Sequence, residues 1–478
     1  MRPAFAWRPV IATAVILAGV LLAFSPLYGF HRDELYFRVL AEHPAWGYVD
    51  QGPLTPMLAR LSVWAFGDTL SAIRVPPALC MAVLVVLVAL LAREFGGGRV
   101  AQVLAALGLA TGVYTLVGGH ALLTVSADLP LWAGVALFVS RALLRGEPRW
   151  WLAAGAVLGL ATYNKNLIAL LVVGLAAGLL LAGPRRVLLS PWLWAGAGLA
   201  VLLALPNLLY QLTHGWPQLD MAAALSENKG GEMRALFAPM QILLFGPVAA
   251  VFAVFGWLRL WREPRVRSLP VAYVVAAALT LISGGRFDYT AGLIVVLFAA
   301  GCVSVEAGRW RRAAAAGLAL NAVVGALFAL PIVPASALSS TPIPLVNEVA
   351  RESVGWPLFV AQVRAVYDAL PPAERARAVV LANSYGEAGA LWRAGLPVYS
   401  GQNQLFEYGP PPGDGSVAVT AKFDSETGLE RQFASCERKA TIDNGLGVDN
   451  EIQGTLVFVC RGLKVPWSRA WPAFHHYD

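Results

Sequence analysis

The sequence predicts an all-α polytopic membrane domain of about eleven transmembrane helices, residues 1–335, followed by a small extracytoplasmic α/β domain, residues 336–478. Three observations carry this. The 478-residue chain is 58% hydrophobic and 14% charged, against about 25% charged for an ordinary soluble domain. Apolar runs of spanning or near-spanning length recur up to residue 333, separated by short loops that hold Arg. Beyond Pro331 and Pro334 the pattern changes to charged helical stretches alternating with short apolar runs.

Taken in order, the apolar runs fall at about 9–29, 73–92, 100–117, 127–144, 150–163, 166–182, 190–210, 240–260, 269–283, 289–305 and 312–333. The first follows Arg2 and Arg8, is longer than a signal-peptide core and lacks a small-residue cleavage site, so it reads as a retained helix. The short run at 150–163 opens on the interfacial pair Trp150-Trp151, and 166–182 closes on Gly183-Pro184-Arg185-Arg186; together they read as out and back. Lys and Arg in the short loops give the orientation. Arg2, Arg8, Arg93, Arg99, Arg145, Arg149, Arg185, Arg186, Arg262, Arg265, Arg267, Arg309 and Arg311 fall on one side. Arg32, Arg38, Arg60, Lys165, Lys229, Arg234 and Arg286 fall on the other. Thirteen against seven predicts a cytoplasmic N-terminus, and an odd number of spans then puts the tail outside. In the tail, 378–382, 396–399 and 455–459 read as strands and 388–393 as helix.

Several function classes drop out. The net charge of +7 lies in loops between apolar segments, with no basic patch interleaved with aromatics, so nucleic acid is not an expected partner. There is no phosphate-binding loop, no dinucleotide fingerprint and no nucleophile elbow. His31, Glu42, His43 and His120 are metal-ligand types without tight ligand spacing, so no metal site is assigned, and a divalent cation stays open. Cys80 and Cys302 lie in apolar runs and read as inert, whereas Cys436 and Cys460 in the polar tail could pair if that tail faces an oxidising compartment.

The stretch hardest to explain as structure alone is 31–56, HRDELYFRVLAEHPAWGYVDQGPLTP, which begins where the first apolar run ends. Asp33 and Glu34 sit side by side there; Asp33 could cap a helix and Glu34 could pair with Arg38 at i,i+4. Asp128 precedes Leu129-Pro130, which reads as an N-cap with Pro in the first turn. Lys165, in Tyr163-Asn164-Lys165-Asn166, interrupts two apolar runs, and an ionisable group at that depth marks function unless it snorkels to the interface. Arg74, in Arg74-Val75-Pro76, opens a helix and reads as structural. Residues 225–232, LSENKGGE, read as a mobile loop able to close over a substrate.

The order of these features resembles one family: the GT-C glycosyltransferases that use polyprenyl-phosphate sugars, in the branch of the protein O-mannosyltransferases and lipid A aminoarabinose transferases (glycosyltransferase family 39 and its relatives). The resemblance rests on the acidic pair and the Trp46-Gly47-Tyr48 run of the first loop, Asp128, Lys165 and Gly284-Gly285-Arg286-Phe287-Asp288-Tyr289. It implies inverting transfer of a sugar to a protein, lipid or glycan acceptor at the outer face of a bacterial plasma membrane. Asp33 would be the general base, Glu34 and Asp128 its acidic partners, and Lys165, Arg286, Tyr289 and Arg74 the ligands of the donor phosphate. Asp288 departs from the family's turn and could pair with Arg286. Residues 383–390, NSYGEAGA, and 400–403 resemble the outer domain of bacterial members. The rival class is a transporter or flippase of a lipid-linked glycan, which would show internal repeats and broken helices near the midplane; the sequence shows no repeat.

Overall fold

The computed structural model describes residues 2–412, 415–423 and 426–478. These form two compact units. One comprises Met1–Ser25, Ala45–Leu58 and Ser71–Leu330; the other comprises Pro26–Pro44, Ala59–Leu70 and Pro331–Asp478.

The first unit is helical, and the chain is a multi-pass membrane protein. Among the described residues six helices are long and apolar enough to cross a bilayer: Trp7–Phe24, Leu70–Glu94, Thr124–Arg145, Pro191–Thr213, Phe287–Ala307 and Arg311–Ala329. Two further spans arise only if bent pairs are joined, Arg99–Ala110 with Val113–His120 at 56° and Pro217–Leu243 with Pro247–Arg262 at 87°. Trp150–Ala161, Ile168–Leu181 and Ser268–Ser283 are apolar but short. Helices of 12 to 16 residues extend roughly 18–24 Å at about 1.5 Å per residue, below the ~30 Å of a hydrocarbon core. Length and composition thus support six to eight spans in place of the expected eleven.

Between these helices the contacts are made by backbone, as expected where lipid gives apolar side chains no reason to prefer protein. A Cβ added at Gly155 would lie 2.0 Å from the Gly196 carbonyl oxygen, and one at Gly178 would lie 2.3 Å from the Ser268 carbonyl oxygen. Each short helix is therefore pressed onto a neighbour along a Gly-x-x-x-Gly stripe, 155/159 and 174/178. Residues 225–232 do not form the expected loop; they lie inside the 27-residue helix Pro217–Leu243. Two flanking contacts secure it. Ser226 Oγ donates to the Ser283 carbonyl at 2.7 Å, and Arg234 donates to the carbonyls of Leu281 and Ile282, closing the C-terminus of Ser268–Ser283.

The second unit holds a five-stranded sheet of order β2-β1-β3-β5-β4. The strands are β1 Ala378–Ala382, β2 Val398–Ser400, β3 Val417–Ala421, β4 Phe433–Thr441 and β5 Leu456–Leu463. β2, β1 and β3 are parallel, and β5 and β4 close the sheet antiparallel. Cys436 and Cys460, directly opposed on β4 and β5, form a disulfide. The expected strand at 378–382 is β1; that at 396–399 begins two residues later as β2, and that at 455–459 begins one residue later and runs four residues further as β5. β3 and β4 were not anticipated, because the charged run of β4 shows no apolar alternation and owes its place to pairing with β5.

The helix Arg32–Glu42 belongs to this unit, packed against Tyr385–Arg393. Gly389 makes the packing possible, since a Cβ there would lie 2.7 Å from the Leu35 carbonyl. Gly389→Val is expected to cost about 1–3 kcal/mol of stability through overpacking, read as a fall in melting temperature. Gly428→Ala, where an added Cβ meets nothing within 4 Å, is expected to leave it unchanged.

Candidate functional site

Within the membrane unit the segment Tyr163-Asn164-Lys165-Asn166 joins Trp150–Ala161 to Ile168–Leu181 as non-helical backbone. Irregular backbone between apolar helices persists where protein groups satisfy it. Here they do so from three sides. Leu54 N–H donates to the Tyr163 carbonyl at 2.7 Å, and Thr55 Oγ1 donates to Asn164 Oδ1 at 2.9 Å. Asn164 Nδ2 in turn donates to the Thr124 carbonyl at 2.8 Å and reaches Asp128 Oδ1 at 3.5 Å. Asn207 Nδ2 donates to the Thr162 carbonyl at 2.8 Å and to Asn166 Oδ1 at 3.1 Å.

This turn presents Lys165. Its Nζ stands 4.8 Å from the centroid of the Tyr289 ring, a cation–π contact. Among the described residues no carboxylate forms an ion pair with it within 4.0 Å. Tyr289 lies on the 3₁₀ turn Phe287–Thr290, held by Gln241, whose Nε2 donates to the Phe287 carbonyl at 2.8 Å while its Oε1 accepts from Thr290 Oγ1 at 2.7 Å. Asp288 accepts from Tyr114 Oη at 2.5 Å and from Arg286 Nε at 3.3 Å. The pairing of Arg286 with its own turn is the one the sequence raised as a departure. Tyr114, Thr124, Asp128, Lys165, Asp288 and Tyr289 line an open cleft.

Asp128 does not cap its helix. The helix begins at Thr124, with Ser126 closing the preceding turn by donating to the Gly118 carbonyl at 2.6 Å and accepting from Leu123 N–H at 3.1 Å. Asp128 therefore sits a turn further in, 9% exposed, facing the cleft. Arg74 does not join this group: it is 1% exposed and bonds the Ser25 carbonyl at 2.9 Å and His120 Nε2 at 3.1 Å. Among the described residues no three His, Cys, Asp or Glu side chains assemble into a metal-binding group.

The acidic pair of the first loop lies in the second unit. His31 is the N-cap of Arg32–Glu42: its Nδ1 accepts from Asp33 N–H at 3.2 Å, and its own N–H donates to Glu34 Oε2 at 2.8 Å. Glu34, 0% exposed, thus closes a capping box. The anticipated Glu34–Arg38 pair does not form; Arg38 engages Asp68. Asp33 is 30% exposed at its side chain, and its Oδ1 accepts from Tyr385 Oη at 2.9 Å. Arg32 binds Glu348 at 2.5 Å and Glu451, and Glu451 binds Lys422 at 2.9 Å.

Sequence reasoning missed Tyr385, Asn164 and Tyr114. Residues 383–390 had been singled out, but only folding shows which side chain of that run meets Asp33. Asn164 stood beside Lys165 as a polar residue between apolar runs, which was the available signal.

Comparison with known proteins follows this geometry. Residues 50–210 match the family described as dolichyl-phosphate-mannose-protein mannosyltransferase, a stretch that contains Arg74, Asp128 and Lys165. None of the curated proteins matches the sequence significantly. Among solved structures, apo ArnT from Cupriavidus metallidurans matches with TM-score 0.61 at 16% identity, covering 94% of this chain and 97% of that one. The same protein bound to undecaprenyl phosphate matches with TM-score 0.62 at 17% identity and the same coverage. The arabinofuranosyltransferase AftD from mycobacteria matches with TM-score 0.53 at 13% identity over 97% of this chain and 40% of its own.

Burial holds the His31 ring below its ordinary pKa, outweighing the Asp33 carboxylate that acts the other way. The folded state then resists a proton that the unfolded chain accepts near pH 6.5, so this contribution is complete above that pH and is lost as pH falls. His31→Asn keeps an N-cap acceptor without the titration. Its melting temperature is expected to fall less than that of the wild type between pH 7 and pH 5; parallel falls would contradict the assignment. The fold, by these matches over nearly the whole chain, is that of the GT-C glycosyltransferases.

Proposed function

We propose that this protein transfers a sugar, with inversion, from a polyprenyl-phosphate-linked donor to an acceptor hydroxyl on a protein, lipid or glycan at the extracytoplasmic face of the membrane. The observation that carries the reading is Lys165, a cation on a hydrogen-bonded turn between two apolar helices, facing an open cleft over Tyr289. A bilayer makes an ionisable group costly, and a phosphate oxygen is the counter-charge that such a group would serve. Supporting it are the match of residues 50–210 to a dolichyl-phosphate-mannose-protein mannosyltransferase family and a fold shared with ArnT, whose structure was solved with undecaprenyl phosphate. The Arg and Lys bias of the loops supports a cytoplasmic N-terminus, and an outer C-terminal domain then requires an odd number of spans.

In this reading the acceptor oxygen attacks the anomeric carbon from the face opposite the phosphate. A new C–O bond forms as the bond from that carbon to the phosphate oxygen breaks, and the hydroxyl proton passes to Asp33. The leaving polyprenyl phosphate gains a negative charge, which Lys165 and Arg286 would offset, with Tyr289 keeping Lys165 in place. Asp128 would act through the hydrogen-bonded turn that presents Lys165, and Glu34 through the capping box that fixes Asp33. The two bent spans are a feature that a transporter of lipid-linked glycans would share, but they occur here within a fold matching ArnT over 94% of the chain.

Purified wild type and Asp33→Asn can be compared for transfer of radiolabel from a panel of polyprenyl-phosphate sugars into a membrane extract. Label should move with the wild type for one donor and fall by about 10²–10⁴-fold in Asp33→Asn. Equal turnover in the variant would remove Asp33 as the base.

A further inference from the structure

Asp33 and Tyr385 are separated by 352 residues in the chain and by 2.9 Å in the fold, both within the second unit. The phenol is fixed on all sides. Its ring stacks on Tyr36 with centroids 4.7 Å apart and planes at 30°. The Tyr385 backbone N–H donates to Gln402 Oε1 at 2.6 Å, and Gln402 is itself 3% exposed. Tyr36 Oη accepts from Gln404 N–H at 3.2 Å. Beside it, Gly386 permits the approach, since a Cβ there would lie 2.9 Å from Arg32 Cβ.

We propose that Tyr385 is a positioning residue for Asp33, holding Oδ1 by hydrogen bond so that Oδ2 is the oxygen that receives the acceptor proton. The inference rests on Asp33 being the base. A donor to the charged form of a carboxylate favours that form, and the bond fixes the plane of the Asp33 carboxylate. Burial and then the Asp33 charge hold the Tyr385 phenol proton well above its ordinary range, so the hydroxyl remains a donor throughout the working pH. The other groups facing Asp33 differ in kind. On its own helix are His31 Nδ1 and Arg32 Nε, each 3.9 Å away, and the capping Glu34; Glu348 and Glu451 pair with Arg32, and Glu348 also acts on the Tyr385 phenol.

The test reads Asp33 directly. Infrared spectra of the full-length protein, wild type minus Asp33→Asn, isolate the protonated-carboxyl band of Asp33 across a pH series, and the same subtraction is made in a Tyr385→Phe background. Loss of a hydrogen bond to a charged group is expected to raise the midpoint by about one to two pH units. An unmoved midpoint in a folded Tyr385→Phe protein, with Asp33→Asn still unable to transfer sugar, overturns the role of Tyr385 and leaves the base in place. Full transfer by Asp33→Asn overturns both. Should Tyr385→Phe fail to fold, difluorotyrosine at position 385 retains the ring and is a stronger donor; the midpoint is then expected to fall, and an unmoved value overturns the proposal.

Discussion

The backbone contact between Arg32–Glu42 and Tyr385–Arg393 is the constraint on which the second unit depends. Because Gly389 lets the second helix reach the Leu35 carbonyl, the first loop and the C-terminal sheet become one folded body. That contact brings Tyr385 to Asp33 and sets Arg32 among Glu348 and Glu451. An isolated helix of 11 residues would be marginal in water. Here the capping box of His31 and Glu34 fixes its start, and burial on nearly every side, including Leu35, Phe37 and Leu40, holds it in place.

The membrane unit solves a different problem, that of placing an irregular, charged turn between two apolar helices. Its solution is polar groups on neighbouring elements, Thr55, Thr124 and Asn207, each bonding one part of the turn around Lys165. Asn164 is 0% exposed, and a buried amide is costly unless bonded; it bonds through both its oxygen and its nitrogen. The cation is therefore presented by a rigid support, as a group awaiting an anion should be.

What the sequence made legible follows from the physics of each signal. Lys165 stood out because charge amid apolar runs is costly and Asp128 through the family resemblance, and both line the cleft. Arg74 resembled them by motif alone, and burial against Ser25 and His120 sets it apart. The strand at 378–382 was legible because it is buried on both faces and so uniformly apolar. Residues 225–232 misled because Gly230-Gly231 reads as a break, whereas anchoring by Ser226 and Arg234 on either side keeps the helix continuous. The eleven apolar runs were all found as helices or parts of helices, but hydropathy does not distinguish a full span from a short helix held by Gly contacts. Tyr385 was beyond reach, since a contact across 352 residues leaves no local pattern.

The central claim is that the Lys165 cleft takes a lipid-linked phosphate. Native mass spectrometry of the purified protein titrated with undecaprenyl phosphate tests it most directly. The wild type should retain one lipid, and Lys165→Met, matched in melting temperature, should lose it at the same concentration. Equal retention by the two proteins would contradict the account.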